Sequence, residues 1–206
     1  MADRAEDERF MAEALRLAHQ NLGATGSNPS VGCVIVRNDG GGAKIVGSAV
    51  TAQSGRPHAE TQALAVAGPL ARGATAYVTL EPCSHHGKTP PCADALIAAG
   101  IARVVVAVID PDERVSGHGL EKLRDAGIEV VTGVLEEEGE RELEGYLMRK
   151  RNNRPYVTLK LAVSADGMIG IKGQGQVGIT GAPAREIVHR LRVETDAILV
   201  GIGTAI

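Results

Sequence analysis

Aromatic residues are almost missing from this 206-residue chain, which has no tryptophan, one phenylalanine and three tyrosines. A core without large rings must be filled by Ala, Val, Leu and Ile, which suits helices layered on a sheet. Hydrophobic residues still make up 44% of the chain, enough to bury such a core. Cysteine is scarce too. Three cysteines argue against the disulfide framework of small secreted domains and leave metal binding, catalysis or plain burial. No apolar run approaches the roughly 18 residues of a membrane helix. The first ten residues, Met1 to Phe10, are charged rather than apolar, so no signal peptide is expected and the protein reads as cytoplasmic. Basic charge is not in excess: 22 Lys and Arg against 25 Asp and Glu leave a net charge of -3. That removes the electrostatic footprint of a nucleic-acid binder, although one lysine can still grip a small phosphorylated ligand.

What is present is a regular alternation. Phe10, Met11, Ala14, Leu15, Leu17 and Ala18 recur at helical spacing and predict an amphipathic helix over Asp7 to Gln20. Strands are expected at Val31–Val36 and Lys44–Val50, joined by the hairpin loop Asn38–Gly42. Then follow a helix at His58–Ala67, a strand at Ala76–Leu80, a loop at Glu81–Pro91 and a helix at Cys92–Ala99 stopped by Gly100. A strand at Val104–Ile109, a helix at Gly119–Ala126 and a strand at Ile128–Val131 complete the series. A hairpin followed by βα units predicts an α/β domain with a mixed five-stranded sheet and helices on both faces. One charged helix is expected over Glu136–Arg151. Asn152-Asn-Arg-Pro155 breaks it, and the domain boundary is placed there, separating residues 1–150 from 155–206. Beyond it a strand at Tyr156–Val163, a helix at Ala182–Val193 and a strand at Ala197–Val200 are expected.

Three short features carry chemistry: His58-Ala-Glu60, Glu81-Pro-Cys83 and Thr89-Pro-Pro-Cys92. Zinc prefers N and S ligands in a tetrahedron, and a catalytic zinc keeps one position for water, whose pKa it lowers to about 7. His58, Cys83 and Cys92 supply three ligands, each at or near a predicted helix start where the helix dipole favours thiolate. Glu60 lies two residues after His58, in the same helical turn, and can act on that water as a proton shuttle without binding the metal. Taken singly, the histidine could be a cap and the cysteines packing, as Cys33 in its apolar strand is expected to be. Jointly they fit the His-x-Glu and Pro-Cys signature of zinc base deaminases. A structural zinc would want a fourth protein ligand, and none is evident.

The interval between the metal cysteines is enlarged to Cys83-Ser-His-His-Gly-Lys-Thr-Pro-Pro-Cys92. With Asn28-Pro-Ser-Val-Gly-Cys33, His58-Ala-Glu60, Thr79-Leu-Glu-Pro82, Asp110-Pro111, Gly117-His-Gly119 and Thr158-Leu-Lys-Leu-Ala-Val-Ser-Ala-Asp-Gly167, it closely resembles the bacterial bifunctional riboflavin-biosynthesis deaminase–reductase family. The resemblance covers nearly the whole chain. It implies a cytidine-deaminase-like three-layer α/β/α domain followed by the start of a dihydrofolate-reductase-like α/β domain. The implied substrate is a diaminopyrimidinone bearing a ribosylamino 5′-phosphate, and the implied first reaction is hydrolysis of its 2-amino group. By position, Asn28 would contact the base, His85 and Lys88 would hold the substrate and its phosphate, and Asp110 would line the pocket. A Gly-Lys beside a metal is in any case a plausible anion grip; the alternatives are a solvated charge at Lys88 and a packing role for His86. Asp112 stands where the family often has Asn and adds negative charge near a phosphate, so it is not counted as a contact.

From Tyr156 onward the resemblance is to an NADPH-dependent reductase. Ala162, Gly178 and Thr204 would then serve NADP, and Gln176 and Arg192 the reductase substrate; Gly178 departs from the tryptophan of many members. Gly201-Ile-Gly-Thr204 also reads as a strand-end turn. This segment, about two strands and one helix, is expected to pack poorly and to bind NADPH weakly or not at all, as a fragment of a longer bifunctional enzyme. The cofactors implied are therefore Zn2+ and, for the reductase half, NADPH. The expected partners are a small phosphorylated pyrimidine and further copies of the chain as a homo-oligomer, without nucleic acid or membrane. Two other readings stay open: a cytosine, guanine or tRNA-adenosine deaminase of the same fold, and a non-catalytic zinc scaffold. The acidic balance and long cysteine loop argue against the first, and the presence of Glu60 against the second.

Overall fold

A computed structural model describes residues 4–85 and 90–205 and divides the chain between Pro155 and Tyr156 into two units. In the first, α1 (Arg4–Ala18) buries Phe10, Met11, Ala14, Leu15 and Ala18, the three-to-four spacing of one helix face. Next come β1 (Gly32–Asn38), β2 (Ala43–Val50), α2 (Ala59–Ala67), β3 (Thr75–Leu80), α3 (Cys92–Ala99), β4 (Arg103–Val108), α4 (His118–Asp125) and β5 (Glu129–Thr132). The sheet order is β2-β1-β3-β4-β5, antiparallel through β3 and parallel from β3 to β5. The expected mixed five-stranded α/β architecture is thus present. The central parallel strand β4 reads Val-Val-Val-Ala-Val after its first residue and is buried throughout that run, as a strand covered on both faces must be. α1 packs on β1, β3 and β4, and α5 (Glu136–Glu142) on β4. α2 covers β1 and β2 and meets α3, which meets α4.

A buried polar network joins α1 to the sheet. Asp7 accepts two hydrogen bonds from Arg103, at 2.7 and 2.8 Å, and one from the Tyr77 hydroxyl at 3.0 Å. α3 ends as expected at Gly100, which adopts φ 73° in the left-handed region open to glycine.

The expected single helix over Glu136–Arg151 is instead two, α5 and α6 (Glu144–Asn152). The chain breaks at Leu143 (φ -105°, ψ 9°), whose side chain is buried in the core. Gly139 and Gly145 flank the break, and each weakens a helix locally.

The second unit departs further. The strands expected at Tyr156–Val163 and Ala197–Val200 are not formed: neither stretch joins a ladder, and an apolar run becomes a strand only when a neighbour satisfies its backbone groups. The helix expected at Ala182–Val193 is present as α7, with no buried residue. A short turn of helix, α8, spans Ile202–Ala205. Apolar side chains stand open here, Leu159 at 81% and Leu199 at 99% exposure. Among the described residues, no helix is long and apolar enough to cross a membrane.

Candidate metal and active site

Parallel sheets offer their functional crevice at the carboxyl ends of their strands, and that is where β3 gives way to Glu81-Pro82-Cys83. α3 begins at Cys92, whose backbone N–H donates to the Cys83 sulfur at 3.3 Å. α2 starts just after His58, which occupies its N-cap position in extended conformation. Two helix starts and one strand end therefore converge. The ligand atoms of His58, Cys83 and Cys92 all lie within 4.8 Å of one another. His58 Nδ1 is 3.3 Å from Cys92 Sγ and 3.8 Å from Cys83 Sγ. Tetrahedral zinc with bonds near 2.3 Å to sulfur and 2.0–2.1 Å to nitrogen has N···S edges of about 3.6 Å. The observed separations bracket that value, so this donor set fits zinc.

The cluster's electrostatics are those of ligands sharing charge. The Cys92 thiol's hydrogen bond, with help from His58 and the Cys92 amide, holds Cys83 down to about 4. Donation to Cys83, together with burial, pushes Cys92 up. His58 is raised, first by its hydrogen bond to Cys83. Glu60, buried on the first turn of α2, has its carboxyl raised by burial, only partly offset by its own backbone N–H and by His58. It also contacts the Cys92 thiol. A carboxyl that is buried, adjacent to the cluster and lifted towards neutrality is suited to exchanging protons there.

The positions expected to meet substrate are held by tethers. Asn28 donates from Nδ2 to the Gly55 carbonyl at 3.2 Å, three residues before His58. His85 follows Cys83 by two, and its Nδ1 is buried without a hydrogen-bond partner among the described residues. Lys88 and His86 lie outside the described residues. Asp110 is buried, and both its oxygens accept from the Tyr146 hydroxyl, at 2.8 and 3.0 Å. Burial raises its carboxyl despite that bond and one from the Asp112 amide. Asp112 is no free negative charge: it is buried, accepts from Arg114 and from Lys150 at 2.6 Å, and is held well below the usual carboxylate range, by Arg114 foremost. In the second unit Ala162 is half-buried, while Gln176, Gly178 and Arg192, the last on α7, are exposed. Thr204 falls in α8, and its side chain lies outside the described residues.

Glu81 was not among the site residues expected from the sequence, although it lies in the Glu81-Pro82-Cys83 motif. Its buried carboxylate accepts from the amides of Asp110, Gly117 and Gly119 at 3.3, 3.0 and 3.0 Å, binding the segment after β4 to the residue before Pro82-Cys83. An acidic residue at the end of an apolar strand was the available signal.

Comparison with known proteins agrees with this geometry. Residues 4–108 match the cytidine and deoxycytidylate deaminase zinc-binding region, and residues 155–206 match the RibD C-terminal domain. The chain is 49% identical over 201 residues to riboflavin biosynthesis protein RibD of Escherichia coli, covering 98% of this chain and 54% of that protein. To the Aquifex aeolicus protein it is 48% identical, covering 97% and 55%. Among solved structures, Acinetobacter baumannii RibD superposes with a TM-score of 0.84 at 43% identity, over 93% of this chain and 53% of that one. The Thermotoga maritima diaminohydroxyphosphoribosylaminopyrimidine deaminase/5-amino-6-(5-phosphoribosylamino)uracil reductase does so with 0.83 at 42%, over 92% and 53%. The chain spans about half the length of the curated relatives it matches. A His/Cys/Cys cluster at the end of β3, inside a matched zinc-binding region, and near-complete alignment with these relatives lead to one conclusion: the chain belongs to the cytidine and deoxycytidylate deaminase zinc-binding family and is, within it, a homologue of RibD.

Proposed function

We propose that the first unit is a zinc-dependent aminohydrolase that removes the 2-amino group of a diaminopyrimidinone bearing a ribosylamino 5′-phosphate. The observation that carries this is the juxtaposition of the His58–Cys83–Cys92 cluster with Glu60, buried on the first turn of α2 and in contact with the Cys92 thiol. His58, Cys83 and Cys92 would hold the metal, which, when bound, supplies Lewis acidity and makes water a nucleophile near neutral pH. Glu60 takes one proton from the attacking water and passes it to the ring nitrogen beside the reacting carbon, then carries the remaining hydroxyl proton to the departing nitrogen, so that the amino carbon and water become a carbonyl, a ring N–H and ammonia. Asn28, fixed to Gly55, orients the base. His85, whose Nδ1 is without a hydrogen-bond partner among the described residues, offers a donor or acceptor to the bound substrate, and Lys88 the charge for its phosphate. The similarity to the Thermotoga maritima diaminohydroxyphosphoribosylaminopyrimidine deaminase/reductase supports this substrate over other bases. The cysteines at 33, 83 and 92 are all free, which fits a reducing, cytoplasmic setting.

We propose in the same way that the second unit corresponds to the beginning of an NADPH-dependent reductase, with Ala162, Gly178 and Thr204 towards the cofactor and Gln176 and Arg192 towards substrate. The test of the first activity is ammonia release from the phosphorylated diaminopyrimidinone, with cytidine and guanine beside it. Release from that compound alone, retained zinc and a loss of turnover of about a hundredfold or more in Glu60→Gln are expected. Equal or faster release from cytidine or guanine overturns the substrate, and near-normal turnover in Glu60→Gln overturns the proton shuttle.

A further inference from the structure

Helix α6 lies beyond the 4–108 match to the zinc-binding region, yet one of its faces holds two loops that lead to the metal cluster. Tyr146, Arg149 and Lys150 are spaced i, i+3, i+4 and so share that face. Both cations sit over the Tyr146 ring, at 5.7 and 5.9 Å from its centre. Tyr146 donates to both oxygens of Asp110, and Lys150 to Asp112. The Asp110 amide in turn donates to Glu81, two residues before Cys83. Arg149 donates to the Ser27 carbonyl at 2.7 Å, and the next residue, Asn28, is bonded to Gly55, three residues before His58. Each route from α6 thus reaches the neighbourhood of a metal ligand through one or two intermediate residues.

We propose that Tyr146, Arg149 and Lys150 are positioning residues of the deaminase site: α6 is a clamp that sets the Ser27–Asn28 and Asp110–Asp112 loops at the separation the substrate requires. This rests on the deaminase reading above. The clamp touches neither the metal ligands nor Glu60 among its hydrogen-bonded partners, so loosening it should weaken substrate binding while sparing the metal and the proton transfer. Without the Tyr146 hydroxyl, the buried Asp110 carboxyl loses the donor that both its oxygens use. Without Lys150, Asp112 keeps as its side-chain ion-pair partner among the described residues only Arg114, whose side chain is largely exposed.

The experiment pairs kinetics with amide hydrogen exchange on the full chain, using Tyr146→Phe, Arg149→Ala, Lys150→Met and Lys150→Arg. Expected for Tyr146→Phe and Lys150→Met are wild-type zinc content, a KM for the phosphorylated diaminopyrimidinone raised at least fivefold, and kcat within threefold; Lys150→Arg restores KM. Peptides spanning residues 109–118 should exchange faster in Tyr146→Phe and Lys150→Met, and those spanning 24–29 in Arg149→Ala, with β3 and β4 unchanged. Arg149 is exposed, so its replacement leaves a folded variant even if Tyr146→Phe does not. Unchanged exchange in both loops overturns the clamp whatever the activity. An unchanged KM, or a loss confined to kcat or to zinc, overturns its role in substrate binding. If the wild-type chain releases no ammonia but the loops loosen as described, the clamp stands and the deaminase reading falls.

Discussion

Replacing Gly119 by alanine tests whether the loop after β4 and the metal loop are as closely seated as the structure has them. A Cβ at residue 119 would lie 2.1 Å from the Pro82 carbonyl oxygen and 3.1 Å from Glu81 Oε1. Real Cβ atoms keep at least 3.0 Å, so the Pro82 carbonyl must retreat by about 0.9 Å. Pro82 is bonded directly to Cys83, and metal sites accept ligand displacements of only about 0.2 Å. If even a third of that retreat reaches Cys83 Sγ, its place in the tetrahedron is lost. Overpacking of this kind costs about 1–3 kcal/mol, which in a unit of this size is about 2–4 °C of melting temperature per kcal/mol. Disturbing the support of a metal ligand costs about 10–100-fold in affinity. Gly119→Ala should therefore bind zinc about 10–100-fold more weakly, by competition with a chromophoric chelator, and melt several degrees lower. Gly145→Ala on α6 is the control: its Cβ meets nothing within 4 Å, and alanine favours helix over glycine by about 1 kcal/mol. Wild-type zinc affinity in Gly119→Ala would refute the close seating of the two loops and the argument that Pro82 passes strain to Cys83.

Three further outcomes follow from other parts of the molecule. Asp7→Asn should lower stability at pH 7 by about 3–5 kcal/mol, because it leaves the Arg103 guanidinium, 12% exposed, without its buried partner. Burial alone would raise Asp7, but its bonds to Arg103 and Tyr77 outweigh that and hold it below 3.8; the stabilisation is therefore full above pH 3.8 and lost as pH falls further, and urea midpoints of wild type and variant should converge in acid. Zinc affinity should rise with pH through the range in which His58 and Cys92 lose their raised protons, by about tenfold per pH unit for each proton released, and a pH-independent affinity from isothermal titration would contradict the ligand set. Given the deaminated product and NADPH, this chain should show no sustained loss of NADPH absorbance, since among its described residues the second unit has no strand to form a cofactor crevice; steady oxidation would show a reductase site assembled in a way the structure does not suggest.

The metal cluster was legible in the sequence because its chemistry is rare and its ligands mark element boundaries: His58 before an apolar helical run, Cys83 after an apolar strand, Cys92 after two prolines. The sheet was legible because Val34 to Val36, Ala76 to Leu80 and Val104 to Val108 are apolar runs bounded by turns, a pattern that burial on both faces imposes locally. Tertiary structure alone decided what depends on a distant partner. Leu143 interrupts a charged helical sequence between Gly139 and Gly145, and its side chain is buried in the core. Asp112, an unwelcome charge when read alone, is neutralised foremost by its neighbour Arg114 and then by Lys150 from 38 residues away. Tyr146 and Arg149 resemble ordinary residues of a charged helix until the fold sets them against Asp110 and Ser27. The reverse holds in the second unit, where Tyr156 to Val163 and Ala197 to Val200 carry strand-like composition but no ladder. Periodicity records which face a segment would bury, whereas pairing and side-chain partnership are properties of two segments, and one segment's sequence does not contain the other's position.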